Sequence, residues 1–163
     1  MNDQFLLLLT LAGGVGSGLI GGLFFVFSVA VMPAFGRIAP ASAVAAMQSI
    51  NVTIVNPWFL AAFFGTAASS LALAIAATVG AAGGATGTAV YLVSGALLYL
   101  VGAIGVTMAA NVLLNNALAA ADAGSAGADA LWRRYLPHWT RWNHVRTVAA
   151  LAASGAFFLA AAR

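Results

Sequence analysis

The chain contains no cysteine, no lysine and no glutamate, and its 163 residues carry only six arginines, three aspartates and two histidines. Each absence excludes something. Without cysteine there is no disulfide, no thiolate metal site and no cysteine nucleophile. Charged residues make up 6% of the chain against 63% hydrophobic ones, whereas a soluble domain carries roughly 25% charged residues. The chain is therefore read as an integral membrane protein, placed in the plasma membrane. The net charge of +3 comes from scattered arginines with no basic run, so no nucleic-acid partner is expected. No acidic residue falls inside an apolar run, which argues against proton-coupled cation export. The histidines are the only ordinary bases near neutral pH.

What the sequence does have is long apolar runs. A hydrocarbon core about 30 Å thick needs about 20 residues at 1.5 Å each. Phe5 to Met32, Trp58 to Val79, Ala89 to Val112 and Trp142 to Ala162 meet that length. The first run lacks a basic leader and a cleavage site, and is taken as a span rather than a signal peptide. The connection Gly80 to Gly87 is short and uncharged, while Pro33 to Pro57 and Asn115 to Arg141 are longer. The expected fold class is all-α: one domain over residues 1–163, a four-transmembrane-helix bundle with short helices in the two longer connections. Arg37, Arg133, Arg134 and Arg141 lie on the side of those connections and Arg163 on the other. The positive-inside rule then puts both termini outside the cytoplasm. Gly14, Gly18 and Gly22, with Gly13, Ser17 and Gly21 beside them, form small-residue stripes that let helix backbones approach closely. They are assigned to packing within the bundle, with a homo-oligomer seam as the alternative.

The strongly polar residues sit at the edges of the runs. Gln48, Asn51 and Asn56 form one group, Asn111, Asn115 and Asn116 a second, and Trp142, Asn143, His144 and Arg146 a third. Alternating spans bring all three groups to one side of the membrane. Amides, an imidazole and a guanidinium are costly in hydrocarbon, so their convergence points to a site. Thr107, Asn111 and Asn115 follow at i, i+4 and i+8, a polar stripe on one helix face. Further along, Trp139, Trp142, Asn143 and Arg146 share a face, while His144 lies about 160° from Arg146. A pocket using both must wrap around the helix. Each group also has a plainer account: amides join helices, aromatic belts mark the membrane surface, and arginines snorkel. His138 and His144 are six apart with no thiolate or acid to complete a site, so no metal is expected.

The segments MPAFGRI, MQSINVTIVNPWF, TMAANVLLNNAL and WTRWNHVRT, in this order among four spans, resemble the anthrone oxygenase family of small integral membrane proteins. One departure stands out: where the family often has Asn-Val-Pro-Leu-Asn, this chain has Asn111-Val-Leu-Leu-Asn115. Leu113 is expected to leave the helix straighter, because proline would remove a backbone donor. The resemblance implies oxidation of anthrones to anthraquinones by O₂ with no cofactor. On that footing His144 is the expected base, with Arg146 and Asn111 completing the catalytic set. Asn115 and Asn143 donate to the substrate anion, Trp142 stacks on its rings, and Gln48 and Asn51 line the pocket. The expected partners are the lipid bilayer and a lipophilic aromatic small molecule. A non-catalytic quinone-binding protein and a structural or transport subunit remain the alternatives.

Overall fold

The computed structural model describes residues 3–80 and 86–163, so most of the short Gly80 to Gly87 connection lies outside the described residues. Among the described residues every regular element is helical. Four helices are long and apolar enough to cross a membrane: Asp3–Phe35, Pro57–Thr78, Gly87–Ala119 and Gly127–Ala161. Each exposes leucine, valine or phenylalanine on its outer surface, such as Leu19, Leu71, Val90 and Leu159. A bundle apolar both inside and outside is a membrane bundle. The protein is an integral membrane protein.

Local chemistry fixes the ends of the second span. The Asn56 side chain accepts hydrogen bonds from the backbone nitrogens of Trp58 (3.1 Å) and Phe59 (3.0 Å), with Pro57 in the first turn. This satisfies two of the donors that a helix start leaves free, and proline fits there because its missing N–H is not needed. Gly80, at φ 74°, follows the last turn and takes the left-handed conformation that glycine accommodates.

The first and third spans are not uniform. Phe27–Val31 in the first is π-helical, as are Leu98–Gly105 and Thr107–Asn111 in the third. The wider i→i+5 turn rotates the side chains that follow relative to an α-helix. Val112–Ala119, which contains Leu113, is α-helical, and the irregularity of this span lies in the π turns before it. In the first connection, Pro40–Thr53 is the expected short helix. In the second, the helical residues are continuous with the spans. Val112–Ala119 completes the third span, and one helix, Ala126–Ala161, carries the chain into the fourth. Pro137 lies within that helix and gives the Arg133 carbonyl no backbone donor.

The fourth span packs along the first and the third. On the first, the small residues are the contact surface. A Cβ at Gly21 would come within 2.8 Å of Leu151 Cδ2 and 3.1 Å of its backbone nitrogen, so only glycine allows this approach. Ser154 Oγ donates to the Gly14 carbonyl at 2.8 Å across the same seam. The glycine stripe thus joins helices of one chain, except at Gly22, where a Cβ would meet nothing within 4 Å. One buried cluster, including Ile20, Phe63, Leu73, Tyr99 and Phe157, fills the middle of the bundle. A second, of Met32, Val44, Met47, Leu118, Trp132, Tyr135 and Trp139, seats the short helix on the end where the polar residues gather.

Candidate functional site

Where the two clusters meet, a cavity of about 210 Å³ opens between the first, second and third spans, with the short helix over it. Its polar lining consists of Asn51, Thr107, Asn115 and Arg146, with the Trp139 indole among its aromatic walls. Phe24, Phe27, Phe59, Phe63 and Phe64 line the rest together with aliphatic residues such as Leu23, Ile50 and Val112. The result is an apolar slot with one cation at its inner end.

Arg146 dominates the electrostatics. It is 5% exposed, and a charged group so removed from water is costly unless it is paired. Its Nη2 donates to Asn143 Oδ1 at 2.6 Å and its Nη1 to Thr107 Oγ1 at 3.2 Å. Two rings flank it: Cζ lies 4.2 Å from the centroid of Phe24 and 5.1 Å from that of Trp139. Cation–π contacts of this kind contribute about 0.5–2 kcal/mol each. What it lacks is an anion. Among the described residues the one salt bridge is Arg133 to Asp129, 3.9 Å on the exposed surface. Arg146 Nε is buried without a hydrogen-bond partner.

Asn143 holds the arginine in place. Its Nδ2 donates to the Phe24 carbonyl (2.6 Å) and to Ser28 Oγ (2.7 Å), both on the first span. Its Oδ1 is thereby turned toward Arg146. Thr147 Oγ1 donates to the Asn143 carbonyl at 2.8 Å. On the other wall, Asn115 Oδ1 accepts from Tyr135 OH (2.8 Å) and Trp139 Nε1 (2.9 Å). Asn111 Nδ2 reaches the Trp139 carbonyl at 3.3 Å, while its Oδ1 is buried without a partner. Asn51 Nδ2 lies beside the Tyr135 hydroxyl, also buried and without hydrogen-bond geometry to it. Among the described residues, three of the four buried side-chain polar atoms left without a partner thus belong to this end of the bundle. Unpaired buried groups cost about 1–3 kcal/mol each, and two of these, on Arg146 and Asn51, belong to residues that line the cavity, where a polar ligand would pair them.

The eight residues singled out from the sequence separate into three sets. Arg146, Asn51 and Asn115 line the cavity, while Asn111 and Asn143 are fully buried in the wall behind it. Gln48, Trp142 and His144 lie elsewhere. Gln48 Nε2 donates to the carbonyls of Leu118 (2.8 Å) and Ala121 (2.9 Å), bridging the short helix to the last turn of the third span and the residues just after it. Its role is to tie the short helix down. Trp142 is 40% exposed, because it sits about 100° around the helix from Asn143. His144 is exposed and belongs to a separate shallow groove with Met32, Pro33, Gly36, Leu136, Pro137, Thr140 and Arg141. The pocket does not wrap around the helix, so the imidazole cannot reach a molecule held by Arg146. Phe24, Thr107 and Trp139 complete the site. Thr107 and Trp139 stood on the polar faces already noted, whereas nothing in the apolar run around Phe24 distinguished it.

No group of three or more histidine or acidic side chains that could hold a metal ion occurs among the described residues. The family model described as Anthrone oxygenase matches residues 57–156, more than half of the chain. The match takes in Thr107, Asn111, Asn115, Trp139, Asn143 and Arg146, and leaves Phe24 and Asn51 outside it. No curated protein and no solved structure matches the chain.

Proposed function

The chain belongs to the anthrone oxygenase family, and from that premise we propose that it oxidises an acidic, flat aromatic molecule of the anthrone or phenol type with O₂. The observation that carries this reading is the buried Arg146, which lines a largely apolar cavity without a carboxylate partner. A desolvated cation stabilises an anion that forms beside it far more than water would. For an anthrone, that anion is the enolate left when the ring methylene loses a proton.

Neither imidazole nor carboxylate is among the residues lining the cavity. The proton therefore passes to solvent rather than to a side chain of the lining, and Arg146 makes this transfer favourable by holding the enolate oxygen. An electron-rich enolate gives one electron to O₂, and the carbon radical and superoxide combine to a peroxide anion. Protonation of the outer oxygen, loss of the second C–H proton and departure of hydroxide leave a carbonyl. The sum is CH₂ + O₂ → C=O + H₂O. The carbon supplies all four electrons, so no external reductant is needed. Trp139 and the phenylalanines hold the ring system flat, while Asn143 and Thr107 fix the guanidinium. The arginine bias of the longer connections favours an orientation with this end of the bundle on the cytoplasmic side. A topology reporter fused at Arg163 is then active on the outer side, and cytoplasmic activity there contradicts the orientation.

The test is conversion of a hydroxylated anthrone by purified protein in nanodiscs, aerobically and anaerobically. The expected result is O₂-dependent formation of the quinone with one O₂ consumed per anthrone. A rate no faster than protein-free nanodiscs contradicts it. The lack of an imidazole or carboxylate in the lining favours one second reading, a protein that binds such molecules without turnover, and that outcome would select it.

A further inference from the structure

Three residues lining the cavity are also well exposed: Val55 at 63%, Phe64 at 52% and Met108 at 57%. A side chain that both lines a cavity and faces outward marks its rim. Val55 precedes the second span, Phe64 is on that span and Met108 is on the third, so the rim runs down the seam between two neighbouring helices. The depth of the seam follows from the helix rise. Trp58, 87% exposed in the first turn of the second span, is placed as tryptophans at the membrane surface are. Phe64, six residues further, lies about 9 Å deeper. At the depth of Phe64 the surroundings are hydrocarbon, while Val55, three residues before Trp58, puts the upper edge of the rim at the membrane surface; none of the three rim residues is charged or polar. Arg146, buried among the lining residues, is not on that rim.

We infer that the cavity is filled sideways from the bilayer, through a portal bounded by Val55, Phe64 and Met108, by a lipid-dissolved weak acid that enters neutral and ionises only at Arg146. This rests on the functional reading above and narrows its substrate class. A molecule already charged in water would have to cross the apolar rim with its charge unpaired, which costs several kcal/mol. A neutral hydroxylated polycycle would cross freely. Leading with its acidic edge, it would place that edge at the guanidinium and leave its apolar rings along Phe59, Phe63 and Phe64. The short helix, held by Gln48 to the end of the third span, closes the cavity from above.

The experiment uses full-length wild-type protein in nanodiscs and follows, by visible absorbance in stopped flow, the binding of two probes. One is a monohydroxyanthraquinone, and the other is the same ring system bearing a sulfonate. The neutral probe is expected to bind and the sulfonate to fail to compete with it. Met108→Trp, which narrows the portal, is expected to slow association about tenfold or more, within the range that single changes produce. Leu97→Trp, on the same span but outside the lining, leaves it unchanged. Phe64→Ala, which widens the portal, speeds association and guards against misfolding of the tryptophan variant. Equal competition by the sulfonate, or association indifferent to both Met108 and Phe64, overturns the portal, as does failure of the neutral probe to bind. Binding with this pattern but without oxidation of an anthrone keeps the portal and removes the oxygenase reading.

Discussion

Arg146 and His144 are two residues apart in one motif, and their environments separate them completely. Arg146 points into the bundle between two aromatic rings, and His144 points away from it. His144→Ala should therefore leave turnover within about twofold of wild type, the scale of a surface change distant from a site. A loss of 100-fold would restore the imidazole as the base. Arg146→Gln should lose about 10² to 10³ in kcat, as removal of one oxyanion donor does. Arg146→Lys should recover only part of this, since an ammonium cannot bond Thr107 and Asn143 in one plane while stacking on Phe24 and Trp139. Asn143→Ala separates positioning from contact. It removes both bonds to the first span, so thermal unfolding should move to lower temperature and kcat should fall. Unchanged stability would mean the amide does not join the spans. The polar residue types were legible in the sequence, and so was their placement at one end. Which of them face inward was not, because Asn143 and His144 differ by a single 100° step.

At the scale of elements, the four spans followed from apolar length alone, and the short helix over the cavity from its position between two prolines. The π turns did not. Two of the three π segments contain polar groups of the site, Ser28 in the first span and Thr107 and Asn111 in the third, and periodicity at 3.6 residues per turn carries no sign of them. The wall contributed by Phe24 was also hidden, since its meaning comes from a guanidinium on a helix far along the chain. Seam glycines give a prediction at this scale. Gly21→Val should destabilise the bundle by a few kcal/mol, because the added carbons meet the Leu151 backbone. Gly22→Ala, facing open space, should be tolerated. Thermal unfolding of both in one detergent decides it, and equal tolerance would mean that the first and fourth spans do not pack through this stripe.

The whole molecule is a membrane bundle whose apolar interior is interrupted at one end by a single uncompensated cation. The family match reaches the second, third and fourth spans, while the first span and the short helix add Phe24 and Asn51 to the cavity. If the function is to stabilise an anion formed from a membrane-dissolved acid, then that acid must ionise more readily in the protein than outside it. A cation within about 4–6 Å lowers the pKa of a neighbouring acid by one to three units. The most direct measurement is the visible-absorbance titration of a monohydroxyanthraquinone bound to wild type and to Arg146→Gln in the same nanodiscs. The phenol should ionise at least about one pH unit lower in wild type than in the variant. Coincident titration curves, with the ligand bound to both, would contradict the assignment of Arg146 as the group that creates the anion.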